Sequence, residues 1–265
     1  MAATRSNSFP RSSRQHPLAT EVNEHLNRLR SSKEASTSST LISHKLNGFQ
    51  DLYDCVVKFL QLPLSHHALA HECADELLDG SLRLLDLCST AKDIVLQTKE
   101  STNELQSALR RRKIGESEIV SEVRKYISSR KVSKKTIHKA LGNLKVIQRK
   151  NTVSPLETVS MLKEIEAVTC SMFEDLLSLI SGPKPGSVGV LQIGCEDAAR
   201  NVNEFEKVDV ALKSFGTTKS DIINLEMQNQ LKGLELFIQD LEDGLECLFR
   251  CMIKARVSLL NILTL

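Results

Sequence analysis

Tryptophan is absent, and aromatic residues make up only 4% of the 265-residue chain. Leucine is abundant instead, and few β-branched or aromatic runs remain from which to build a sheet. No apolar run approaches the ~18–20 residues needed to span a bilayer. The longest uncharged apolar piece, Val257–Leu265, is short and contains Ser258, Asn261 and Thr264. No secretory apolar region follows Met1, and Ala2 excludes N-myristoylation. The seven cysteines (Cys55, Cys73, Cys88, Cys170, Cys195, Cys247, Cys251) are odd in number, and most sit in or beside apolar stripes. They read as small buried hydrophobes in a reducing compartment, not as a disulfide framework. The expected location is cytoplasmic, with plastid or peripheral membrane as alternatives.

Reactive constellations are missing too. His67 and His71 share a helix face beside His66 and Cys73, the spacing of a two-histidine metal site. The run His67-Ala68-Leu69-Ala70-His71 lacks the Glu a zinc hydrolase needs, so a polar helix start is the better reading. Cys247 and Cys251 are four apart, which is not the spacing of zinc ribbons or redox motifs. Gly189 and Gly194 have the separation of a phosphate loop, but no Lys and Ser/Thr follow to hold phosphate and magnesium. Carboxylate pairs such as Asp75-Glu76 and Glu242-Asp243 fall on helix surfaces, with no cleft to perturb them. No catalytic, cofactor-binding or metal-ligating residue is assigned, and no enzyme is expected.

What the chain does have is helical periodicity. From Ser220 to Leu265, the residues Met227, Leu231, Leu234, Ile238, Leu241, Leu245, Leu248, Met252, Ala255, Leu259 and Ile262 recur in steps of four and three. That is the seam of a helix packed at a shallow angle, coiled-coil fashion, against others. The same rhythm predicts helices over Ser39–Leu62, Ser65–Arg112, Ser117–Lys150 and Glu196–Phe215. Pro63 should stop the first of these. The third should break around Ser128–Ser133, where the apolar stripe lapses. A capping box, Ser154-Pro155-Leu156-Glu157, starts a further helix that Gly182-Pro183 ends. Residues 1–17 are basic and Ser-rich and cannot form a core, so disorder is expected there. Their composition also suits a plastid transit peptide or a kinase-accessible tail. A short amphipathic helix follows at Thr20–Arg30, with Val22, Leu26 and Leu29 on one face. The expected fold is all-α: an elongated up-and-down helical bundle of five to six helices over residues 37–265, preceded by a tail over residues 1–36.

Charge is unevenly placed. The formal net charge is only +2, yet no acidic residue lies between Glu122 and Glu157. Arg124, Lys125, Arg130, Lys131, Lys134, Lys135 and Lys139 fall inside that window, followed by Lys145, Arg149 and Lys150. The first seven are the candidate anion- or partner-binding residues. The window reads as a face for acidic lipid or nucleic acid, as a complement to the acidic Glu235, Asp240, Glu242, Asp243 and Glu246, or as a solvated surface. Nucleic acid is the weakest of these, because stacking aromatics are lacking apart from Tyr126.

One stretch carries a likeness. Leu77-Leu78-Asp79-Gly80-Ser81-Leu82-Arg83-Leu84-Leu85-Asp86-Leu87-Cys88-Ser89 resembles the central signature of a plant-specific family of proteins of unknown function (domain of unknown function two-four-one), related to the BYPASS proteins. Arg5–Pro10, His16–Arg30, Asn203–Asp209 and Arg256–Leu263 match it in order, so the resemblance covers essentially the whole chain. Family members often carry a Trp in the segment corresponding to Gly182–Ile193, and this chain departs from them there. The resemblance implies an all-helical plant protein linked to root and shoot development. It supplies no catalytic residue. The resulting expectation is a non-enzymatic interaction or regulatory protein, with membrane association through residues 124–150 as the alternative. Its partners would be other proteins, a second copy of the chain or an anionic membrane surface.

Overall fold

The computed structural model describes residues 16–31, 39–69, 74–111, 116–148, 157–182, 202–214 and 221–263. Eight helices account for nearly all of them: α1 (Pro17–Ser31), α2 (Ser39–Leu60), α3 (Pro63–Leu69), α4 (Ala74–Arg110), α5 (Glu116–Gln148), α6 (Glu157–Ser181), α7 (Glu204–Ser214) and α8 (Asp221–Leu263). The all-α class therefore stands, and there is no strand among the described residues. The tail before His16, the histidine-cluster residues His71 and Cys73, the phosphate-loop segment 189–196, and Arg149 and Lys150 lie outside the described residues.

α8 organises the packing. Every residue of its predicted seam, from Met227 to Ile262, is buried. α4 and α2 cover most of its length, and α7 adds a further contact. Each fully buried Leu or Ile contributes roughly 1.5–3 kcal/mol relative to exposure. The pairs Lys92–Glu246, Lys99–Glu242 and Gln106–Glu235 run in opposite senses along the two chains, so α4 and α8 are antiparallel. Their α4 members are seven residues apart, the spacing at which a helix flanking a coiled seam presents successive side chains.

Pro63 does interrupt the chain after α2, but it also opens α3. It occupies that helix's first position, where a missing N–H costs nothing. Within the predicted Ser65–Arg112 helix, α3 runs to Leu69 and α4 from Ala74, and residues 70–73 lie outside the described residues. α1 packs against α2 and α6, with Val22, Leu26 and Leu29 buried as the spacing predicts. α6 ends at Gly182, whose φ of 72° is the left-handed cap conformation. The Gly182 N–H donates to the carbonyls of Ser178 and Leu179 at 3.1 and 3.3 Å.

The predicted break in α5 does not occur; the helix is continuous from Glu116 to Gln148. The apolar stripe lapses because the interface there is polar. Ser129 Oγ meets Ser101 Oγ at 2.8 Å, and Ser133 Oγ donates to Gln97 Oε1 at 3.2 Å. Small hydroxyls let α4 and α5 approach while hydrogen-bonding across the gap.

Candidate functional site

α5 has two unlike sides. Val123, Tyr126, Arg130, Ser133, Ile137 and Leu144 are buried. Arg124, Lys131, Lys135 and Lys139 are exposed. Their separations of seven, four and four residues keep them on one face, over roughly 22 Å of helix. None of the four has an ion-pair partner among the described residues, whereas Lys45, Lys92, Lys99, Lys163, Arg30 and Arg83 all do. Val132 is also exposed, next to Lys131.

The other three candidates are engaged. Lys125 pairs with Glu122 one turn back at 2.7 Å, and that hydrogen bond, with the carboxylate's charge, holds its ammonium above the ordinary range. Lys134 reaches Asp209 of α7 at 2.8 Å. Arg130 departs furthest from expectation, because only 3% of it is exposed and it is no surface cation. Its Nε and Nη2 donate to the two carboxylate oxygens of Asp209 at 3.2 and 3.3 Å. Nη2 also donates to the Ile180 carbonyl at 2.7 Å, and the guanidinium lies 5.1 Å from the centre of the Phe205 ring. The bidentate pair and the aromatic face are what a guanidinium, and not an ammonium, can use. A signal for this was present in the sequence: Arg130 stands four residues after Tyr126 and seven before Ile137, in register with the buried side.

Asn203 completes this corner. Its Oδ1 accepts from the Glu206 N–H at 2.9 Å as the cap of α7, while its Nδ2 donates to the Leu179 carbonyl at 3.1 Å. α7 is thus tied to α6 and α5 through polar contacts at the end of α6.

The acidic stretch of α8 does not complement α5 within the chain. Glu242 and Glu246 take Lys99 and Lys92 of α4, and Glu235 accepts from Gln106. Hydrogen bonds from Lys92 and then Arg250 hold the Glu246 carboxyl below its ordinary range. Lys92 also lies 4.6 Å from the centre of the Phe249 ring. Among the described residues there is no cluster of three metal-ligating side chains, and no helix is long and apolar enough to cross a membrane.

These features define a class: an all-helical protein, bound together along one long apolar seam, with a row of unpaired cations on one outer helix. The chain belongs to the family described as Protein BPS1, whose model matches residues 45–262. The match runs from α2 almost to the end of α8 and includes the whole cationic row. It agrees with the BYPASS-related resemblance seen in the sequence. No curated protein and no solved structure matches the chain. Membership is consistent with a development-related protein and assigns it no biochemistry.

Proposed function

We propose that this chain is a non-enzymatic helical interaction or regulatory protein, linked to plant root and shoot development, and that the outer face of α5 receives an acidic partner protein. The observation that carries this reading is the row Arg124, Lys131, Lys135 and Lys139, four exposed cations along one face of α5 with no ion-pair partner among the described residues. Exposed like charges in a row repel one another, and a complementary surface relieves that repulsion and speeds encounter. A cytoplasmic location goes with this reading. Cross-linking in plant extract, read by mass spectrometry, tests it. Partner cross-links should gather at Lys131, Lys135 and Lys139, and those at Lys139 should vanish in the Lys131→Glu/Lys135→Glu variant. Cross-links that survive charge reversal, or gather elsewhere, overturn it.

A second reading is peripheral association with anionic membrane, favoured by Val132 standing exposed beside Lys131. Flotation with phosphatidylserine vesicles separates the two. Membrane binding must appear at low salt and fade at high salt as charges are screened. Protein left unbound at low salt removes this reading.

A further inference from the structure

α4, α5 and α6 enclose a groove of about 370 Å³, on the side of the Ser101–Ser129 contact nearer the start of α4. That volume is in the range of small-molecule sites, about 300–1,000 Å³, and far exceeds the ~30 Å³ share of one water. Its floor is apolar: Leu87, Leu144 and Cys170 are buried, and the half-buried Ala140 lines it with them. Burial pushes the Cys170 thiol up to about 12, so this sulfur is an uncharged wall and not a nucleophile.

The rim is polar and incompletely satisfied. Lys139 and Asp86 both line the groove, and neither has an ion-pair partner among the described residues. Arg83, about a third exposed, spends Nη2 on Glu166 at 2.9 Å. Two cationic donors call for a carboxylate. Asp86 would repel a bare anion, so the same ligand must carry a hydroxyl or ammonium for Asp86 to accept.

We propose that this groove binds a small amphipathic carboxylic acid bearing an amino or hydroxyl group, its apolar body on Leu87, Ala140 and Leu144. Lys139 and Arg83 would take the carboxylate, and Asp86 the donor. The groove shares Lys139 with the partner reading of α5 but does not rest on that reading, since Lys131 and Lys135 take no part in it.

The absence of tryptophan allows a direct fluorescence test on the full chain with 3-(2-naphthyl)alanine, its carboxamide and 3-(2-naphthyl)propionate. The amino acid should bind, and both analogues should bind about tenfold more weakly or worse. Lys139→Glu should weaken the amino acid about tenfold, Asn143→Phe at the exposed rim should block it, and Lys135→Glu should leave it unchanged. Lys139 and Asn143 are exposed, so both variants should fold, which circular dichroism checks. No binding at millimolar concentration overturns the proposal. So does equal weakening by Lys135→Glu and Lys139→Glu, or undiminished binding to Asn143→Phe.

Discussion

The carboxylate of Glu166 on α6 fills the place where a side chain on Gly80 of α4 would begin. A Cβ there would lie 2.7 Å from Glu166 Cδ and 2.8 Å from its Oε1. That oxygen accepts from Arg83 Nη2 at 2.9 Å, so the acid is pinned across α4 by a residue one turn beyond the glycine. A glycine inside a 37-residue helix costs about 1 kcal/mol of helix propensity. Here it admits an ion pair that joins α4 to α6.

Gly80→Ala should therefore behave differently in two backgrounds. In the natural chain the gain in helix propensity is offset, because Glu166 must swing off Arg83. With Glu166→Ala already present, the same change should stabilise by about 1 kcal/mol. Urea denaturation of the four proteins should give a coupling of about 1–2 kcal/mol. Equal effects in both backgrounds would show that Glu166 does not hold this place.

The seam of α8 was legible in full, because burial on one helix face imposes a three-and-four spacing that few other arrangements produce. The interruption of α5 was misread for the matching reason. Ser129, Arg130 and Ser133 face inward but are polar, and hydropathy alone cannot tell a polar interface from a helix break. Of the cationic row, the sequence supplied the residues and the helix supplied the division into outward Lys131 and Lys135 and inward Arg130. The groove under Lys139 was not legible, because it exists only where three helices meet.

Asp209 should matter more to stability than any exposed carboxylate. Arg130 has 4% of its side chain exposed and Asp209 16%, so screening by water is slight. Asp209→Ala leaves the guanidinium buried without its counter-charge, and about 3 kcal/mol should be lost. Arg130→Met together with Asp209→Leu should recover most of that loss, since a buried pair is often no better than well-packed apolar residues. Denaturation midpoints measure both. If Asp209→Ala costs no more than a surface change, the Ile180 carbonyl and the Phe205 ring suffice for Arg130.

The cysteines should react in an order set by burial. Cys247 is exposed, while Cys251, four residues on, is buried, and burial pushes its thiol up to about 11. Cys88 and Cys170 are pushed to about 12 by the same cause. Among the five described cysteines, peptide mapping after iodoacetamide at neutral pH should find Cys247 modified first, and Cys88 and Cys170 only on unfolding. Early modification of Cys88 would mean that the α4–α8 seam opens readily, because its thiol donates to the Leu245 carbonyl inside that seam.

Alkaline pH offers a test of the core itself. The chain has only two tyrosines, Tyr53 and Tyr126, and both are buried. Burial raises both phenols well above their ordinary range. In the unfolded chain they ionise near pH 10. Above that pH the unfolded state binds fewer protons than the native state, so stability falls as pH rises, and below it the two states are equally protonated. Each tyrosine contributes a slope of up to about 1.4 kcal/mol per pH unit until its folded phenol ionises. Tyrosinate absorbance should stay flat through pH 10 and then rise together with loss of the helical circular dichroism signal. Tyr53→Phe and Tyr126→Phe should each reduce the slope. Smooth phenol titration near pH 10 with helicity intact would place at least one of these rings in water, and with it the contact of α2 with α6 or of α5 with α4.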